Sequence, residues 1–93
     1  MTFRNALEDL GYRVAEERRR VGLTQAAFAE RVGIEVRVLQ YIEGGKQATT
    51  LQTLYDLAVA LDVDLMTLFR PPRQRPRRKP GRPRSSSKGR RSP

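Results

Sequence analysis

Gly22-Leu23-Thr24-Gln25-Ala26-Ala27-Phe28-Ala29-Glu30-Arg31-Val32-Gly33-Ile34 decides the fold of this chain. Gly22 can stop a preceding helix. Thr24 is a good N-cap, and the stretch from Gln25 to Val32 would turn Ala26, Phe28, Ala29 and Val32 inward. Gly33 supplies a residue able to take positive φ, so the chain can leave this short helix in a sharp turn. The small Ala29 lies four positions before Gly33, and a bulky residue at such a crossing would push two helices apart.

Working outward, residues 5–21 place Leu7, Leu10, Val14 and Val21, with Ala6 and Ala15, on a helical stripe. After Gly33, the apolar run Val36, Val38, Leu39 and Ile42 ends at Gly44-Gly45 and predicts a third helix. Thr49-x-x-Gln52 has the form of a capping box. It leads into Leu51, Leu54, Leu57, Ala58 and Leu61, and a brief fifth turn around Leu65, Met66, Leu68 and Phe69 closes the domain. Val36, Val38 and Val63 are β-branched, but no alternating run bounded by turns emerges, so a sheet is not expected. The fold class is all-α: a compact five-helix domain.

Composition narrows the function. The chain has 93 residues and a net charge of +9, which turns attention to polyanionic partners. With no Cys and no His, disulfides, zinc fingers and Cys- or Ser/His-type catalysis are excluded. Asp62 and Asp64 flank a helix junction without a nucleophile or metal cluster, so no catalytic residue, metal, cofactor or small-molecule ligand is expected. No apolar stretch approaches the roughly 20 residues that span a bilayer, and a cytoplasmic protein without membrane partners is the expectation.

The charge is divided unevenly. Residues 1–69 hold eight Lys or Arg against ten Asp or Glu, net −2, whereas residues from Arg70 onward hold eleven Lys or Arg and no acid. Pro71-Pro72 marks the boundary between an expected domain, 1–70, and a tail, 71–93, rich in Arg, Pro, Gly and Ser. That tail has nothing to bury against the entropy of ordering and is expected to be disordered, with short extended stretches around its prolines.

The quoted stretch, followed by Tyr41-Ile42-Glu43-Gly44-Gly45-Lys46 and the run from Leu51 to Leu61, resembles the phage Cro and repressor family of helix-turn-helix proteins over roughly residues 13–69. The resemblance implies a second helix over about 24–32 and a recognition helix over about 35–43 lying in the major groove of double-stranded DNA. Subtracting the inward residues Val38, Leu39 and Ile42 leaves Glu35, Val36, Arg37, Gln40 and Tyr41 to face the bases. Arg suits guanine, Gln suits adenine and Val can cover a thymine methyl. By the same resemblance, Thr24, Gln25, Lys46, Thr49 and Thr50 would contact phosphates, and Arg18 and Glu43 would form a structural ion pair. Glu35 stands where family members usually carry Ser or Thr, and Val36 where a polar residue is more usual. Leu65, Met66, Leu68 and Phe69 offer an apolar end for a homodimer, or simply close the core.

In the tail, Lys79-Pro80-Gly81-Arg82-Pro83-Arg84 is similar to an AT-hook, although Pro80 takes the place of one of its two arginines. Arg77, Arg78, Lys79, Arg82 and Arg84 would meet a minor groove or hold any duplex by counterion release. The leading function is a sequence-specific transcriptional regulator of repressor or controller type, associated with the bacterial nucleoid. Two alternatives stand beside it: an interaction module with a protein partner, such as an antitoxin or adaptor, and an architectural DNA binder driven by the tail.

Overall fold

The computed structural model describes residues 1–73 and contains four α-helices and a closing 3-10 turn, with no strand among the described residues. The expected disorder of the tail beyond Arg73, and its Arg77, Arg78, Lys79, Arg82 and Arg84, lie outside the described residues.

Helix α1 (Phe3–Arg20) starts ahead of its apolar stripe because Thr2 and Asn5 cap each other. The Asn5 N–H donates to the Thr2 hydroxyl oxygen at 3.0 Å, and the Thr2 N–H donates to Asn5 Oδ1 at 3.1 Å. Gly22, at φ +78°, ends the helix just after Arg18, Arg19 and Arg20, cations placed where the helix dipole favours them. Val21, expected to face inward, is instead the exposed C-cap.

Helix α2 (Gln25–Val32) is capped by Thr24, whose hydroxyl oxygen accepts from the Ala27 N–H at 3.0 Å, and it closes at Gly33 in the left-handed region, φ +90°. Phe28 and Ala29 are buried and Val32 partly so, but Ala26 is exposed, contrary to expectation. Ala26 sits about 100° around the helix from the centre of the face that Phe28, Ala29 and Val32 define. Gly33 serves only the turn: a Cβ added there would meet nothing within 4 Å. The close crossings lie elsewhere. A Cβ on Gly11 would come within 2.4 Å of the Ile42 carbonyl oxygen and 2.5 Å of that of Glu43, and one on Gly45 would sit 2.8 Å from Glu8 Cα. These two glycines, one in α1 and one just past α3 (Val36–Glu43), let the two helices meet backbone to backbone.

Helix α4 (Leu51–Leu61) takes Thr50 as its N-cap, not Thr49; the Thr53 N–H donates to Thr50 Oγ1 at 3.1 Å. Gln52 bonds Asp56 rather than closing a capping box. Leu54, Leu57, Ala58 and Leu61 fill the core, whereas Leu51, expected inward, is exposed and lines up with Tyr55 and Val59 on the outer side. Asp62 ends the helix at φ +58°, a conformation its short polar side chain tolerates. The last element is a 3-10 turn, Leu65–Phe69, instead of a fifth α-helix.

The core joins Val14 of α1, Phe28 and Ala29 of α2, Leu39 and Ile42 of α3, the inner face of α4 and Leu68. The chain stays docked past Pro71: Pro72 is buried, and the Arg73 N–H donates to Glu16 Oε1 at 2.9 Å. Among the described residues, no helix is long and apolar enough to cross a membrane.

Candidate nucleic-acid interface

Helices α2 and α3 meet at the Gly33 turn, and α3 turns one side inward through Leu39 and Ile42 with Val38 beside them. The opposite side is open: Glu35, Val36, Arg37, Gln40 and Tyr41 are all exposed. Glu35 is the N-cap residue of α3 and is exposed, but its side chain makes no capping bond. Arg37 forms no ion pair among the described residues.

The far end of α3 is clamped. Arg18 Nε donates to Glu43 Oε2 at 2.7 Å and Nη2 to Glu43 Oε1 at 3.1 Å, while Nη1 donates to the Leu23 carbonyl at 2.9 Å. Both partners are at most one-tenth exposed. One guanidinium therefore ties α1 to the last residue of α3 and to the loop that starts α2. A two-bond fork of this kind fixes direction as well as distance.

Gln25 occupies the first turn of α2 and is half-buried. It does not simply project outward: its Nε2 donates to Glu43 Oε1 at 3.0 Å, and its Oε1 accepts from Gln40 Nε2 at 3.4 Å. Nothing in the spacing of the sequence pointed to this contact, because it depends on which faces of α2 and α3 meet.

Around this face, Thr24 and Lys46 are exposed, and Lys46 shares a cleft with Phe3, Arg4 and Leu7 at the start of α1. Thr49 is half-buried. Thr50 is exposed, but its hydroxyl donates to Thr53 Oγ1 at 3.1 Å while its oxygen accepts the cap bond, so both its capacities are used within the helix start. Leu65 is partly buried, Met66 and Phe69 are exposed, and Leu68 is wholly buried. Leu68 therefore closes the core.

A second charge cluster, not among the sequence expectations, lies on the other side of α1. Arg13, 6% exposed, pairs with Glu17 at 3.1 Å and Glu16 at 3.5 Å and donates from Nε to the Thr67 carbonyl at 3.1 Å; Arg20 also reaches Glu17, at 2.8 Å. The i, i+3 and i, i+4 charge spacing from Arg13 to Arg20 was the available signal. Gly11, isolated within a helical pattern, was the corresponding signal for the close crossing.

Residues 14–68 match a family model described as Helix-turn-helix. An uncharacterized HTH-type transcriptional regulator from Sinorhizobium fredii is 37% identical over 67 residues, covering 72% of this chain and 87% of the relative. The restriction-modification controller protein C.AhdI from Aeromonas hydrophila superimposes with a TM-score of 0.71 at 29% identity, covering 74% of this chain and 100% of that one. An HTH_3 family transcriptional regulator from Vibrio cholerae gives a TM-score of 0.69 at 25% identity, over 73% of this chain but only 38% of its own length.

Proposed function

The chain belongs to the helix-turn-helix family, and from that premise we propose that it is a sequence-specific DNA-binding transcriptional regulator that reads the major groove with α3. One observation carries this reading: the outer face of α3 is open from Glu35 to Tyr41, on a helix whose far end is fixed by a buried ion pair. Recognition needs side chains held to within about 0.5 Å, and the Arg18–Glu43 fork is suited to that task. Arg37 pairs with guanine and Gln40 with adenine, Val36 covers a thymine methyl, Glu35 accepts from a cytosine amine, and Tyr41 lies at the edge of the contact.

Thr24, Gln25, Lys46 and Thr49 meet the phosphates that set the register of the domain on the duplex, while the Thr50 hydroxyl is used within the helix start. The body, 1–70, supplies specificity. The tail, 71–93, with its surplus of Lys and Arg, adds salt-sensitive attraction by counterion release. The regulator binds as a homodimer on a two-fold-related site, paired through exposed Met66 and Phe69 with Leu65 beneath them. The named relatives, a transcriptional regulator and a controller protein, support this reading.

Selection of bound duplexes from a random pool, followed by band-shift titration at physiological salt, tests it. The expected result is one enriched site bound at least about a thousandfold more tightly than unrelated duplex. Equal affinity for all sequences would refute it.

A further inference from the structure

Resting on the reading of α3 as the helix that meets the bases, we infer that Gln25 is a positioning residue. It dictates which way round Gln40 presents its carboxamide, and so makes Gln40 a reader of adenine on one strand. The inference follows from hydrogen-bond polarity. A carboxylate paired with a guanidinium is ionised and can only accept. Glu43 takes two N–H groups from Arg18, so the group of Gln25 that lies 3.0 Å from Glu43 Oε1 has to be its NH2.

That choice turns the Gln25 carbonyl away from Glu43 and toward α3. There it meets Gln40 at 3.4 Å, and because a carbonyl also only accepts, the facing group of Gln40 has to be NH2 in its turn. The orientation of two amides is thus set in series by one buried anion: Arg18 to Glu43, Glu43 to Gln25, Gln25 to Gln40. Gln40 keeps one N–H and its carbonyl for a ligand, in a fixed order along the helix face. Gln25 keeps a second N–H for a phosphate.

The order has a consequence for recognition. In the major groove adenine offers an acceptor, N7, beside a donor, N6, whereas guanine offers two acceptors side by side. A carboxamide with one donor and one acceptor matches adenine. One that is free to turn over can also follow the reversed order of a T·A pair, and one held by Gln25 cannot. The expected preference at the pair facing Gln40 is therefore for A·T in a single orientation.

The test uses the full chain and three variants, Gln40→Ala, Gln25→Ala and the double substitution, each checked by thermal melting and then taken through duplex selection and titration. Gln40→Ala is expected to erase the preference at one A·T pair, by roughly fivefold or more. Gln25→Ala is expected to relax the same pair by about fivefold, the worth of one ordinary hydrogen bond, while the pair released by Arg37→Ala keeps its preference. The double variant should be no less selective at that pair than Gln40→Ala alone. If Gln25→Ala weakens all sequences evenly and leaves every preference intact, the inference is overturned and Gln25 is a phosphate contact only. If Gln40→Ala releases no pair while Arg37→Ala does, the inference fails and DNA reading by α3 survives. If the unaltered chain shows no preferred sequence, the proposed function itself falls.

Discussion

Arg13 and Arg18 are both buried on α1, five residues apart, yet they hold the molecule in different ways. Arg18 reaches a single carboxylate twenty-five positions along the chain and forms no other ion pair among the described residues. Arg13 shares Glu16 and Glu17, three and four positions away on its own helix, with Arg20 and the Arg73 N–H, and among the described residues reaches another element only through the Thr67 carbonyl. The first arrangement fixes the pose of α3 and has no substitute partner. The second is redundant and pins the closing turn and the start of the tail. The ion pairing on the α3 side of the domain thus rests on a single contact, and that on the opposite side on several overlapping ones.

The strongest way to break this contrast is Glu43→Ala. It leaves the Arg18 guanidinium buried without an anion and is expected to cost about 3–5 kcal/mol, a large part of the stability of a domain this small. Urea or thermal unfolding measures it, and a loss below about 1 kcal/mol would remove the distinction between the two arginines. Replacing both partners, with Arg18→Met and Glu43→Leu, sharpens the point. An apolar pair of similar volume is expected to restore most of the stability. It cannot restore the fixed order of the Gln25 and Gln40 amides, because the acceptor that starts the series is gone. Recovered folding with relaxed selection at the Gln40 pair is the expected combination.

Gly11→Ala comes next and bears on the same side of the domain. In an open helix this change gains about 1 kcal/mol from helix propensity. Here the new methyl would lie 2.4 and 2.5 Å from two backbone carbonyl oxygens of α3, which no side-chain rotation can relieve. The expected outcome is a net loss of about 1–3 kcal/mol, the usual cost of overpacking. A stabilised variant would mean that α1 and α3 can part freely and that the ion pair, not the backbone contact, sets their distance. Arg13→Met should then cost about 1–2 kcal/mol, since it removes a charged donor from the Thr67 carbonyl, which keeps only the Arg70 N–H at 3.3 Å, while Glu17 keeps Arg20. Amide exchange should show that loss in residues 65–69 more than in α3.

The contrast also bears on how much of the fold is legible in the sequence. Gly22 and Gly33 declared the ends of α1 and α2, because a helix that must stop and turn needs a residue free to take positive φ, and both do. The core of α3 and α4 followed from the spacing of Leu39, Ile42, Leu54, Leu57 and Leu61. The sequence is ambiguous where one pattern admits two registers. Thr49 and Thr50 are adjacent, and only the direction in which Leu54 faces the core decides that Thr50 is the cap. Helix α4 carries more apolar residues than one face can bury, so the pattern alone does not separate Leu51, which lies outside with Tyr55 and Val59, from the inward set. At the candidate site, the outward set from Glu35 to Tyr41 was legible by subtraction, whereas the bonds from Gln25 to Glu43 and Gln40 were not. They join α2 to α3, whose relative rotation is set by how Phe28 and Ala29 pack with Leu39 and Ile42 in the shared core, and periodicity carries no information about that rotation.

The smallest expected effect belongs to Arg20→Ala. Its ion pair with Glu17, at 2.8 Å, is shorter than either pair made by Arg13, and distance alone would rank it as the stronger contact. Exposure reverses the ranking. The Arg20 side chain is 52% exposed, so solvent screens the pair and its own flexibility opposes it, and Glu17 retains Arg13 when Arg20 is gone. The change should lie within about 0.5 kcal/mol by unfolding at moderate salt, with even less difference at high salt. A loss approaching that of Arg13→Met would show that Glu17, with two cations around it, needs both. The cluster on this side of α1 would then be as intolerant of a single deletion as the pair that holds α3.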